Sequence, residues 1–143
     1  MTFSKEPFQR RLQTMGDIAE RVFEETCQLK YTRYGLNRPP INMGSLSPKI
    51  RYTPDYLMSN HLVEVQGLGS DQVFKLKIEK LDALTWWNKA HPVIMFVYDS
   101  KNKRTAYIEY KNLKRLCKNA DVQSFPEGKE YYAVPAELIW VDG

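Results

Sequence analysis

The stretch Tyr52-Thr53-Pro54-Asp55-Tyr56-Leu57-Met58-Ser59-Asn60-His61-Leu62-Val63-Glu64-Val65-Gln66 decides how this chain folds. It reads as two short strands joined by a tight Ser-Asn-His turn. The first strand carries Pro54-Asp55 and the second carries Glu64 and Gln66. Strand side chains alternate faces, so Glu64 and Gln66 share one face while Val63 and Val65 point the other way. Acids on neighbouring strands, backed by a polar residue two positions on, suit a divalent cation. Mg²⁺ takes one or two carboxylates together with water and substrate oxygens. Asp55 and Glu64 would supply the pair, and the Val65 carbonyl would be a third oxygen. Such an ion lowers the pKa of bound water and neutralises charge growing on a phosphate under attack. Gln66 could orient that water, but it can neither act as a base nor carry charge. A lysine within reach would provide the charge, and Lys75 and Lys77 are the candidates by sequence proximity. The bland alternative is a surface hairpin with a solvated Asp and Glu.

Ahead of the hairpin, residues 1–13 are polar and basic and read as an extension or a first helical turn. A helix is predicted over about residues 16–30, with Met15, Ile18, Ala19, Val22, Phe23 and Thr26 forming one stripe at helical spacing. Glu20 lies at the margin of that stripe, about 120° from its centre at roughly 100° per residue, where it can reach across the edge of the core. Residues 31–49 hold Gly35, Pro39, Pro40, Gly44 and Pro48 without periodicity and read as a loop. Its Arg33, Arg38 and Lys49, with Tyr31 and Tyr34, could meet phosphates and bases or make ordinary surface contacts.

Beyond the hairpin, residues 73–78 alternate and place Lys75 and Lys77 on one side if extended. A second helix is predicted over 78–89 with Ile78, Leu81, Leu84 and Thr85 buried. Trp86 and Trp87 fall off that stripe about 100° apart, so they cannot both pack beneath the helix. Residues 93–98 form a continuous apolar run, the pattern of a strand covered on both faces. A turn at 99–103, an alternating partner strand at 105–110, a basic helix at 111–119, a turn at 125–128 and a strand-like segment at 131–141 complete the order. No repeat, low-complexity tract or domain boundary breaks it, so a single domain over 1–143 is expected.

Pro54-Asp55 followed by Glu64-Val65-Gln66 resembles the core motif of the PD-(D/E)xK nuclease superfamily, with glutamine in place of the usual lysine. Gly16-Asp17-Ile18-Ala19-Glu20-Arg21 resembles the first-helix motif of archaeal Holliday-junction resolvases, where the glutamate is an additional acid of the metal site. The helix at 78–89 followed by the strand at 93–98 matches the order that family shows after its motif. The resemblance covers about residues 15–99 and leaves the tail without a counterpart. It implies an α/β, restriction-endonuclease-like fold with a central mixed β-sheet flanked by helices, and cutting of DNA with Mg²⁺ or Mn²⁺. By position, Glu20, Asp55 and Glu64 would be metal ligands, with Gln66 standing where the lysine would be. Some active restriction enzymes of the superfamily carry glutamine there. Junction-cutting relatives are dimers, so a homodimer using Trp86 or Trp87 is a further expectation.

The charge distribution suits a protein that holds a polyanion, the alternative being a solvated basic face with no partner. The 143 residues are 43% hydrophobic and 27% charged with a net charge of +4, ordinary for a folded protein. Residues 101–118 hold Lys101, Lys103, Arg104, Lys111, Lys114, Arg115 and Lys118 against Glu109 alone. That window carries +6, so the rest of the chain sums to −2. Phosphate contacts from such a segment carry no base information, which favours a structure-directed enzyme of recombination or repair on branched or duplex DNA. RNA stays open as a substrate. Rival readings are a DNA-binding protein that lost turnover with the lysine, and a protein-interaction domain using the Trp pair.

No run of about 18 apolar residues is present, so no membrane span is expected. Met1-Thr2-Phe3-Ser4-Lys5-Glu6 holds no signal core, which points to the cytoplasm. Cys27 and Cys117 lie 90 residues apart and match neither a zinc spacing nor a disulfide framework. No HExxH, GxSxG or CxxC pattern occurs, and His61 and His91 read as structural or exposed.

Overall fold

The computed structural model describes residues 15–35 and 47–140. The N-terminal extension, Arg38, Pro39, Pro40 and Gly44 lie outside the described residues. The elements run α1 (Met15–Thr26), β1 (Tyr31–Arg33), α2 (Pro48–Arg51), β2 (Tyr56–Met58), β3 (Leu62–Leu68), β4 (Val73–Lys77) and α3 (Ile78–Ala90). There follow β5 (Val93–Asp99), β6 (Arg104–Glu109), α4 (Tyr110–Lys118), β7 (Asp121–Ser124), β8 (Glu130–Pro135) and α5 (Ala136–Trp140).

A mixed central sheet is flanked by helices. Its order is β1-β2-β3-β5-β6, with β3 and β5 parallel and the other neighbours antiparallel. A parallel neighbour needs a long crossover. Here β4 and α3 supply it, and β4 joins a second sheet of order β4-β8-β7. The hairpin forms as the alternation predicts, with Tyr56 opposite Val63 and Leu57 opposite Leu62. Asp55 sits on the bend just before β2 rather than within it.

Each sheet face has its own core. Val63, Val65 and Phe96 face Ala19 and Phe23 of α1, with Tyr56 between them. Leu62, Leu68, Val93, Met95 and Val97 face Leu81 and Leu84 of α3, Leu113 and Cys117 of α4, and Phe74, Leu76 and Val134 of the second sheet. Burying strand residues 93–99 on both sides explains their unbroken apolar run. The start of α1 presses so closely on β3 that a Cβ on Gly67 would lie 2.2 Å from Met15 Cγ and 2.8 Å from its carbonyl oxygen. No larger residue fits there.

Four elements depart from the sequence expectations. The expected loop at 31–49 holds β1 and α2, and β7 precedes the closing strand. Both strands are exposed along their whole length, so neither leaves the period-2 signal that burial on one face imprints. The segment read as one closing strand is β8 followed by α5, and Pro135 marks the change. Both cysteines are free thiols; burial pushes the Cys117 thiol up to about 12. Among the described residues, no helix is long and apolar enough to cross a membrane.

Candidate metal and nucleic-acid site

The carboxylates meet where β2 leaves β3. The Asp55 bend is held by its own carbonyl, which accepts from the backbone of Tyr34 at 2.8 Å and Gly35 at 3.3 Å. A Cβ on Gly35 would lie 2.7 Å from Pro54 O and 2.9 Å from Thr53 O, so the close approach requires glycine. The Asp55 carboxylate accepts from Val65 N at 2.9 Å. A strand residue's N–H and C=O leave the same edge, so the Val65 carbonyl also faces the Asp55 side. Asp55 is held well above the usual carboxylate range, first by burial and then by the neighbouring Glu64 charge, with Lys80 opposing.

Glu64 projects to the α3 side of β3 and is 5% exposed. Its Oε2 pairs with Lys80 Nζ at 2.6 Å. Its Oε1 is buried with no hydrogen-bond partner. A buried carboxylate oxygen without a donor is costly, and it is the atom a bound cation would satisfy. Burial pulls the Lys80 ammonium down, but the Glu64 and Asp55 charges overcome this and raise it above its ordinary value. Lys80 Nζ also reaches Gln66 Oε1 at 3.5 Å, while Gln66 Nε2 donates to Lys75 O at 2.8 Å. The Gln66 amide is thereby engaged at both ends, between β4 and Lys80.

Lys80 is the residue the sequence reading passed over. Its signal was available. Positions 80, 83, 84 and 87 repeat at i, i+3, i+4 and i+7; Ala83 and Leu84 are buried, and Trp87 packs against the cluster that holds Leu84. A lysine opening a buried stripe requires a partner. A cation in the first turn of a helix also opposes the helix dipole, which points to a nearby carboxylate. The stripe drawn through Ile78 and Leu81 hid it.

Glu20 occupies the margin between α1 and the site, with its side chain 12% exposed. Burial first and the Asp55 charge second raise its carboxyl, against Arg33. Its charge also acts on Lys80. Arg33 NH1 lies 3.4 Å from Glu20 Oε1, and Arg33 NH2 contacts Glu24 at 2.7 Å and the Tyr56 hydroxyl at 2.9 Å. Tyr56 in turn donates to Glu24. Among the described residues, no three His, Cys, Asp or Glu side chains converge tightly enough to cage a metal. The structure brings Asp55 and Glu64 together and leaves Glu20 in their electrostatic range.

Glu79, next to Lys80, ties the surroundings together. It accepts from Tyr52 OH and Lys129 Nζ, each at 2.7 Å, and Arg51 NH2 lies 3.6 Å away. These bonds link the chain before Asp55, α3 and the β7–β8 hairpin.

A groove of about 700 Å³ opens beside the site, lined among others by Gln66, Lys75, Lys77, Lys80 and Phe125. Lys75 and Lys77 share the outer side of β4, as the alternation predicts. The basic residues of 101–118 do not line it. Lys101 and Lys103 lie on the exposed β5–β6 turn, and Lys111, Lys114 and Arg115 on the exposed side of α4. Arg104 is turned inward, with Nε 2.9 Å from Asp99 and its guanidinium 4.0 Å from the Trp140 ring centre. Trp87 donates its indole N–H to Lys49 O at 2.8 Å, and Trp86 is 41% exposed. No protein-family model matches the chain, and no curated protein matches it.

Proposed function

We propose that this chain is a Mg²⁺- or Mn²⁺-dependent deoxyribonuclease of restriction-endonuclease-like fold, cutting DNA in a structure-directed way. The observation that carries this reading is the Glu64 carboxylate. It is buried within carboxyl–carboxylate hydrogen-bonding reach of Asp55, is paired through one oxygen with Lys80, and has no N–H donor on the other. Asp55, Glu64 and the Val65 carbonyl would hold the ion, and Glu20 would act on it through its charge. When bound, the ion supplies a water of lowered pKa and neutralises charge at the phosphate.

The chain's own residues divide the rest. Lys80 places a positive charge beside the two acids, the role of the lysine that Gln66 replaces in the motif. Gln66 is a positioning residue, since its amide spans the Lys75 carbonyl and the Lys80 ammonium. Lys75 and Lys77 continue positive charge along the groove towards the rest of the strand. The attacking water forms its bond to phosphorus as the bond to the departing sugar oxygen breaks.

Incubation with branched and linear DNA, with and without Mg²⁺ or Mn²⁺, tests the proposal. Metal-dependent cutting should fall by at least about 10²–10³-fold in Asp55→Ala and Glu64→Ala, the scale of losing one main transition-state contact. Cutting that survives both substitutions sinks the site. DNA binding without cutting favours a non-catalytic binder of the same fold.

A further inference from the structure

The second sheet has no place in the motif, yet its outer face borders the groove. Phe74 and Leu76 of β4 point into the core, leaving Lys75 and Lys77 outward. Lys77 lies opposite Tyr131 of β8, and Tyr131 lies opposite Gln123 of β7. Directly opposed residues share a face, so these side chains form one surface. Tyr131 is only 6% exposed. Phe125, from the β7–β8 turn, packs on it with ring centres 4.2 Å apart. Lys75 Nζ sits 5.9 Å from the Tyr131 ring centre and Lys77 Nζ 5.8 Å from that of Phe125. Phe125 is half-buried and lines the groove that also holds Gln66 and Lys80.

We propose that this face is a channel for a single strand of DNA, with Phe125 stacking a base and Lys75 and Lys77 meeting successive phosphates. The proposal rests on the nuclease reading and adds the form of substrate. Two arguments support it. Lysines two apart on a strand lie about 6.6 Å apart, comparable to successive phosphates of an extended nucleotide chain. Aromatic rings set among cations are the recurring platform for unpaired bases, because every base offers a π-face once it leaves the duplex stack. A paired duplex offers Phe125 no such face. Asp71 holds Lys75 at 2.8 Å, but both side chains are more than a third exposed. Such a pair contributes little, and a phosphate can take its place.

Fluorescence anisotropy on the full chain, without divalent cation so that nothing is cut, provides the test. The probes are a labelled oligo(dT) and a hairpin duplex with the same number of phosphates. Wild type should bind oligo(dT) more tightly than the duplex. Phe125→Ala and Phe125→Leu should each weaken oligo(dT) binding about tenfold and leave the duplex unchanged. The leucine variant keeps apolar bulk on Tyr131 and guards against simple unfolding. Lys77→Gln should flatten the salt slope of oligo(dT) binding by about 0.7. Equal oligo(dT) affinity in wild type and Phe125→Leu, or a wild-type preference for duplex, overturns the proposal. Metal-dependent cutting that depends on Asp55 would then still stand, so failure of the channel is distinguishable from failure of the nuclease reading.

Discussion

Two buried acids sit on neighbouring strands of the central sheet, and the protein treats them in opposite ways. Asp99, at the end of β5, is fully buried. Its Oδ1 accepts from Gln72 Nε2 at 3.0 Å and the backbone of Lys101 at 3.1 Å and Asn102 at 3.3 Å. Its Oδ2 accepts from Asn102 Nδ2 and Arg104 Nε, each at 2.9 Å. Burial alone would raise its carboxyl, but these donors outweigh it and bring it down to about 2. Glu64, on β3, has Lys80 on one oxygen and no donor on the other, and its neighbour Asp55 is pushed upward. An acid saturated by the protein's own donors holds the fold together. One left half-served beside a second acid carries an unmet need for positive charge, which is what the proposed cation would supply.

Removing each acid's cation should separate the two sites most. Lys80→Met leaves the buried Glu64, with half-buried Asp55 beside it, without compensation and should cost about 3 kcal/mol in urea unfolding. Arg104→Met leaves Asp99 four other donors and should cost about 1 kcal/mol. Equal losses would erase the contrast.

Removing Asp99's charge comes next. With a carboxyl lowered from 3.8 to about 2, Asp99 contributes about 2 kcal/mol near neutral pH. That contribution is complete above the unfolded value and is lost as pH falls from about 4 to 2. Asp99→Asn should therefore lower Tm by roughly 4–8 °C at pH 7, and the difference should close by pH 2. A variant whose Tm tracks wild type across that window would show that the donors do not favour the charged form.

The last effect should carry the opposite sign. Asp55 is raised in the folded state, so its ionised form costs stability at neutral pH, and the cost is relieved as pH falls through the folded value. Asp55→Asn keeps an acceptor for Val65 N and should gain about 0.5–2 kcal/mol without metal, most at pH 7–8 and little near pH 4. Millimolar Mg²⁺ or Mn²⁺ should stabilise wild type and leave the variant unchanged. A loss of metal-free stability in Asp55→Asn would place Asp55 among the structural acids.

Much of the central sheet is legible in the residues. Alternation puts Glu64 and Gln66 on one face and Val63 and Val65 on the other, and the apolar run before Asp99 announces a strand covered on both sides. Lys75 and Lys77 fall on one side of β4 for the same reason. β1 and β7 are hidden because strands exposed along their length need no apolar face. Lys80 is harder to see because Leu81, Ala83 and Leu84 are all buried, so the helix offers a second stripe through Leu81 that competes with the one Lys80 opens.

The amino-acid sequence by itself determined the hairpin, the faces of its side chains and the helix and strand that follow, because local periodicity is set by which face must be dry. It placed Asp55 and Glu64 on neighbouring segments and nominated Asp99 only as part of a turn. The tertiary structure decided which acid is satisfied and which is not. The donors that settle the matter arrive from distant positions, with Gln72 and Arg104 closing on Asp99 and Lys80 on Glu64. A carboxylate's role depends on those arrivals, and no local pattern records them.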